Sequence, residues 1–458
     1  MNEMTDIVDA GGATLSQVAD FSLDLVPQDI PQSVMERAAL LLLDTLGICI
    51  ASAPMEAGVL AREATVRLYG SSDPAYSARM LFDGRSASLA GAAYAAATQI
   101  DNLDGHDGFA PVKGHIGVAA VPTLAILAQH APNLSGAEAL AALVVGYEVA
   151  GRAGLALHDT VSDYHTSGAW NALGVAAMAA RLRGQSREVL REALGIAEYH
   201  GPRSQMMREI ANPTMLHDGS GWGTLAGISA AILAESGFTG APAITVEGTD
   251  AATHWGDLGT VWQTQDQYIK PYPICRWAHA PIDAVRELMQ AHGVDHTQVD
   301  RIVIRSFANA IALYPGIPDT TSKAQYSLPF AVAAMVVHGH IGLDQISGAG
   351  LKDPQIARLV AATQLEVSAE HEALFPRYRT ADVDLVLNDG QVLKSGVTHA
   401  RGGPERPFDE TDITGKFMEF AAPVAGHERA VAIRDACLRL TDPDAHFSTL
   451  RQLLVEPL

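Results

Sequence analysis

ADVDLVLNDGQVLKSGVTHA, residues 381–400, decides how this chain is read. Apolar and polar residues alternate on both sides of Asn388-Asp389-Gly390, a triplet that supplies a hairpin turn. Alternation has period two, so the two runs predict paired strands with one buried face. The clearest local signal in the chain is therefore β, although the composition as a whole favours helix.

Outward from the hairpin, DRIVIRSF (300–307) alternates in the same way and predicts another strand. Between them, PFAVAAMVVHGHIG (329–342) and DPQIARLVAATQ (353–364) read as helices. Residues 266–404 are expected to form a smaller mixed unit, α/β or α+β. The sequence before it has a different texture. Alanine and leucine dominate, and helices are expected over residues 34–52, 85–100, 118–130, 135–157, 168–183, 186–199 and 219–236. Ser135 with Glu138 reads as a capping box, and Gly184 as the break of a helical hairpin. Asp44 sits inside an otherwise apolar run and, if buried, needs a partner. From about Asp409 the tail returns to helix. The expected fold is mainly α, with a discontinuous helical domain (1–265 and 405–458) carrying the mixed domain (266–404).

The chain has 458 residues, a formal net charge of −21 and a pI near 5.1. Length favours more than one domain. Acidity argues against a nucleic-acid footprint. Cys49, Cys275 and Cys437 are far apart, which argues against a disulfide framework or a cysteine zinc site. The N-terminus lacks the apolar core of a signal peptide, and the longest apolar runs read as too short or too interrupted to span a bilayer. A cytoplasmic protein with no nucleic-acid or membrane partner is expected.

Four segments concentrate proton-handling groups in loops broken by glycine or proline. DGHDGFAPVKGHIG (104–117) brings Asp104, His106, Asp107, Lys113 and His115. SDYHTSGAWNALG (162–174) brings Tyr164 and His165. REIANPTMLHDGSGWG (208–223) brings Arg208, His217 and Asp218. YIKPYPICRWAHAPID (268–283) brings Lys270, Tyr272, Arg276 and His279 at the join between the two units. Polar loops at the ends of rigid apolar helices are how sites are commonly built. Two chemistries fit. Asp104, His106 and His115 could ligate a metal in a hydrolase, although their spacing matches no standard motif. Alternatively, His, Asp, Tyr and Lys form an acid/base set, with Lys and Arg neutralising substrate carboxylates. No GxGxxG after a strand, Walker A, GxSxG or HExxH motif is present.

Taken in order, LLLDTLGICIAS, the D-x-x-D…GHIG loop, GYEVAGR with YHTSGAWNALGVAAMAARL, GWGTLAGISAAILAESGFTG, KPYPICRWAHAPIDAV and SLPFAVAAM resemble blocks of the MmgE/PrpD family. The resemblance runs from about residue 30 to 420 and rests on the ordered set. It implies a large helical domain with a smaller α/β lid domain, a homodimer, and no metal or organic cofactor. The family includes 2-methylcitrate dehydratases, cis-aconitate decarboxylases and iminodisuccinate epimerases. Asp101 and Asp104 match its loop acids, His115 the loop histidine, His165 the histidine of its second loop, Lys270 the lysine opening K-x-x-P, and His279 the histidine downstream.

Two departures stand out. The loop is longer than in familiar members, adding His106, Asp107 and Lys113. The lysine that familiar members carry shortly before His217 is absent.

The expectation is a cofactor-independent lyase, a dehydratase or decarboxylase, acting on a small di- or tricarboxylate by proton abstraction next to a carboxylate. The catalytic set is His115, His165, Lys270, Asp101 and Asp104. The substrate-binding set is His106, Lys113, Tyr164, Arg208, Tyr272, Arg276 and His279. An epimerase of a dicarboxylate, and a metal-dependent hydrolase using the Asp104–His115 loop, are the alternatives.

Overall fold

The computed structural model describes residues 12–458. Helices dominate the first half: Gln32–Ser52, Glu56–Leu68, Leu89–Asp101, Gly117–Leu127, Gly136–Thr160, Gly168–Leu182, Arg187–His200 and Ser220–Glu235. Small residues set their spacing. A Cβ on Gly174 would stand 2.7 Å from both the Gly146 carbonyl oxygen and the Ala150 Cβ, so helices 136–160 and 168–182 pack backbone to backbone. Ser135 and Glu138 form the expected capping box, and Gly184 takes φ 64° between two helices. The helix Glu56–Leu68 has no counterpart in the sequence reading. The start of the predicted helix at residue 85 is a short strand, Ser86–Ser88, paired with Ser77–Arg79; the Ser88 hydroxyl then caps the helix from Leu89.

Gly136–Thr160 corrects the view that no apolar stretch is long enough to cross a membrane. By length and composition this helix could, yet nearly all of it is buried within the helical assembly. It also carries a buried ion pair, Arg152 Nη1 to Glu148 Oε2 at 2.5 Å, with Glu148 accepting from the Thr264 backbone N–H at 2.8 Å. It is a core helix of the helical assembly.

The later region holds one five-stranded sheet. Its order is Thr363–Val367, Val299–Ser306, Thr380–Leu387, Val392–Lys394, with Thr398–His399 pairing the start of Thr380–Leu387. The first pair is parallel and the rest antiparallel. The hairpin closes where expected: Leu385 pairs Leu393 and Val386 pairs Val392. Its loop is the triplet 388–390, with the Leu387 N–H donating to the Gln391 carbonyl at 2.8 Å and Gly390 at φ 89°. Ile302, Ile304, Val383 and Leu385 point to the buried face. Helix His279–His292 packs on this sheet and Leu328–His338 packs on that helix.

Beyond the sheet, Glu410–Ala425 returns to the helical assembly and lies along Gln32–Ser52. There Lys416 Nζ donates to Asp44 Oδ1 at 2.5 Å and to the Gly105 carbonyl at 2.6 Å. The partner that Asp44 required comes from the far end of the chain.

Candidate active site

The loop after helix Leu89–Asp101 is pinned by a two-residue strand. Gly108–Phe109 pairs antiparallel with Gln267–Tyr268, so the loop lies against the segment that carries Lys270. Among the described residues four non-glycine positions have positive φ; Asp104 (52°) and Lys113 (53°) are in this loop, and His217 (45°) precedes helix Ser220–Glu235. Such backbone is costly for residues with a Cβ and persists where surrounding structure imposes it, often at functional sites.

His115 is held from three sides. Its backbone N–H donates to Ser167 Oγ at 3.0 Å, and its carbonyl accepts from Asn171 Nδ2 at 2.9 Å. Both partners lie at the start of helix Gly168–Leu182. Its ring Nδ1 lies 2.6 Å from the Asp107 carbonyl oxygen. A carbonyl only accepts, so Nδ1 carries the proton and Nε2 keeps its lone pair. Nε2 stands 3.7 Å from Asp218 Oδ2. Burial, then the charge of Lys270, hold the imidazole well below the usual histidine range, so it is neutral at working pH.

Lys270 is buried and ion-paired with the Asp104 carboxylate; its ammonium also donates to the Asp104 carbonyl at 3.1 Å. Burial alone would lower its pKa, but Asp104 and Tyr268 outweigh burial and raise it. Lys270 is therefore a fixed cation. Paired in this way Lys270 suits a charge-stabilising role better than that of a base, because a lysine base needs a lowered pKa and the Asp104 carboxylate works against that.

Buried acids surround the pair. Asp101 Oδ2 accepts from the Ser220 N–H at 3.1 Å, at the N-terminus of Ser220–Glu235. Asp218 accepts from Ser167 Oγ at 2.7 Å. Burial, reinforced by mutual repulsion, raises Asp101 well above the carboxylate range, and burial raises Asp218 too. His106 is fully buried edge-on to His115 at 4.6 Å, and its Nε2 is 4.0 Å from Asp101; neither ring nitrogen has a hydrogen-bond partner among the described residues. Burial holds it neutral.

Asp104, His115, Asp218 and Lys270 line one cavity together with Lys113, Tyr164 and Arg276, whereas Asp101 and His106 are not on its lining. Its free space is about 30 Å³, room for about two waters. A larger molecule reaches it only if lining segments separate. A larger cavity, about 720 Å³, lies between residues 54–57, 317–322 and 343–352; its lining shares no residue with that of the site and contains none of these proton-handling groups.

The remaining expected residues fall outside the lining. His165 stacks on His158, ring centroids 6.5 Å apart, behind Tyr164. Arg208 is exposed on Met206–Ala211, while Met206 and Ile210, four apart on the other face, line the cavity. Tyr272 donates to Asp283 Oδ1 at 2.7 Å and accepts from Arg401 at 2.8 Å, in a structural network. His279 stands behind Arg276, its Nε2 2.9 Å from the Ile274 carbonyl and its Nδ1 3.5 Å from the guanidinium. Absent from the expected set but present in the lining are Asp218, Tyr268, Cys275, Tyr326 and Arg379. Asp218 had a signal, the polar HDGSGWG break before a helix. Arg379, between Pro376 and a strand, had none.

Asp104, His106 and His115 present ligand atoms within 4.8 Å of one another, a set that could hold a metal ion. The Lys270 ammonium already occupies the Asp104 carboxylate, and the Asp107 carbonyl occupies His115 Nδ1. A lysine where a cation would sit suits the acid/base reading better.

The family's N-terminal domain model matches residues 16–257 and its C-terminal domain model residues 272–440. A cis-aconitate decarboxylase of Aspergillus terreus is 24% identical, over 98% of this chain and 97% of its own length. A cis-aconitate decarboxylase-like protein of Aspergillus oryzae, oryM, is also 24% identical, over 98% and 99%. The human cis-aconitate decarboxylase is 26% identical, over 80% and 79%. The chain belongs to the MmgE/PrpD family.

Proposed function

We propose that this chain is a lyase acting on a small polycarboxylate, with His115 as the proton-transferring group and Lys270 as the fixed cation that faces the developing charge. The observation that carries it is the pairing of a neutral imidazole, its tautomer set by the Asp107 carbonyl, with a buried ammonium across one small cavity. His115 Nε2 takes the proton from a carbon next to a carboxylate. The electron pair moves into that carboxylate as an enediolate, whose charge faces Lys270. In a dehydration, collapse of the enediolate expels hydroxide from the neighbouring carbon, which leaves as water with the imidazolium's proton. Asp218, beside Nε2, stabilises the imidazolium formed meanwhile.

The relatives' names favour decarboxylation of a tricarboxylate over dehydration. With CO₂ as the leaving group no C–H proton is abstracted first: the C–CO₂ bonding pair itself becomes the enediolate facing Lys270, and His115 relays one proton from solvent to that carbon. The same reading carries a homodimer in the cytoplasm, with no nucleic-acid or membrane partner and no metal or organic cofactor.

The test is to incubate purified protein in D₂O with tri-, di- and monocarboxylates and follow each by proton NMR. Loss of CO₂ or water from a polycarboxylate, with deuterium in the product or recovered substrate, is expected. Turnover of esters or amides that depends on added metal would overturn the proposal in favour of a hydrolase.

A further inference from the structure

We propose that Lys113, Arg276 and Arg379 form a receptor for a second substrate carboxylate, with Arg379 the specificity-determining residue supplied by the sheet-bearing region. The inference rests on the polycarboxylate reading and extends it to residues that reading does not need.

Three observations carry it. First, all three cations line the cavity that contains His115 and Lys270. They come from separate segments: Lys113 from the loop after Leu89–Asp101, Arg276 from the stretch after Lys270, and Arg379 from the residue before strand Thr380–Leu387.

Second, none of the three has a carboxylate partner among the described residues, in a chain with a net charge of −21. Arg276 donates to the carbonyl oxygens of Arg401 at 2.8 Å and Ala400 at 3.4 Å and lies 3.5 Å from His279 Nδ1, none of them an anion. Of the acids that act on it, Asp283 is taken by Arg401, and Glu405 reaches it only as a distant charge. Arg379 donates from Nη2 to the Ala110 carbonyl at 3.1 Å, and its Nε is buried with no partner. Lys113 has no anion beside it; its ammonium lies 4.6 Å from the centroid of the Tyr164 ring. Burial lowers Lys113 and Arg276, and repulsion from Arg379 adds to it in both. Clustered unpaired cations are expensive unless an anion completes them.

Third, the guanidinium groups are aimed rather than loose. The Arg276 and Arg379 groups lie 4.6 and 5.9 Å from the centroid of the Tyr268 ring. The ring holds both, and the donors not used by carbonyls remain for a carboxylate, which a guanidinium grips by two parallel bonds. One substrate carboxylate then lies at Lys270, next to the reacting carbon, and a second at this cluster. A monocarboxylate leaves the cluster unpaired.

The experiment is calorimetric titration of the full chain with three unreactive probes: tricarballylate, glutarate and butyrate. For wild type, tricarballylate and glutarate should bind far more tightly than butyrate. Arg379→Gln should weaken both by about 10- to 100-fold and leave butyrate unchanged. Arg379→Lys, which keeps charge but loses the planar fork, should fall between. Thermal melting identifies any variant that fails to fold, and the lysine variant then carries the comparison. Equal affinity of wild type and both variants for the polycarboxylates would overturn the receptor and leave the lyase reading standing. Failure of the wild type itself to bind either polycarboxylate would overturn both.

Discussion

His115 Nδ1 and the carbonyl oxygen of Asp107, eight positions upstream, are 2.6 Å apart. That contact makes the loop its own orienting device. Histidines with a directed role usually have one nitrogen fixed by a carbonyl or carboxylate, which leaves the other to react. Here the loop supplies both the imidazole and the group that sets its tautomer.

Lys270 and Asp104 have separable roles. Lys270→Met should lower kcat about 10²- to 10³-fold by removing the charge opposite the enediolate. It also leaves Asp104 buried and unpaired, at a cost of about 3–5 kcal/mol. The double variant Asp104→Asn/Lys270→Met should recover most of that stability and none of the activity. Urea unfolding and turnover, measured together, check this. Recovery of activity in the double variant would make the pair structural only.

The pH profile follows from the same groups. Burial lowers Arg276 to about 10 and lowers Lys113 as well. Positive charge, and with it carboxylate binding, is lost as pH rises through about 10 for Arg276 and below the ordinary lysine range for Lys113. KM should therefore rise on the alkaline side, before an ordinary lysine or arginine would titrate. On the acid side Asp218, raised by burial, must ionise to support the imidazolium, so kcat should fall at a pH above the ordinary carboxylate range. A profile flat from pH 5 to about 10 would contradict both limbs.

Asp44 and Lys416 tie the tail to helix Gln32–Ser52 beneath the loop that carries Asp104 and His115. Lys416→Met should cost about 3–5 kcal/mol, because Asp44 is left charged in an apolar helix core. Asp44→Asn/Lys416→Met should restore much of it. Denaturant midpoints of the two variants decide the matter; equal midpoints would mean that the pair contributes no coupling.

Metal removal separates the reaction classes. Dialysis against a chelator should leave turnover unchanged, because Lys270 provides the cation at Asp104. Loss of turnover that is restored by zinc or manganese would reinstate the set Asp104, His106 and His115 as a catalytic centre.

Much of this was legible in the sequence because its signals are local. The hairpin at Asn388-Asp389-Gly390, the cap at Ser135 and the break at Gly184 each depend on a few neighbouring residues, and each was found where expected. Asp44 announced a need for a partner, but nothing local could say that Lys416 meets it, 372 positions away. The site divides in the same way. The loop, Lys270 and Arg276 were visible as chemistry-rich breaks. Tyr164 and His165 were visible as neighbours, but only the fold shows Tyr164 on the lining and His165 behind it. Arg208 lies outside the lining because a six-residue helix turns Met206 and Ile210 inward and Arg208 out. Arg379 was invisible because its role depends on docking the sheet against the loop at Ala110, a contact between residues 269 positions apart.

The central claim is that His115 moves the proton. It is tested most directly by deuterium exchange at the carbon next to the carboxylate, followed by NMR in D₂O on the polycarboxylate that wild type turns over. His115→Gln, with its fold verified by thermal melting, should slow exchange about 10²- to 10⁴-fold, while His165→Gln keeps most of it. Near-wild-type exchange by the His115 variant, or loss confined to the His165 variant, would contradict the account.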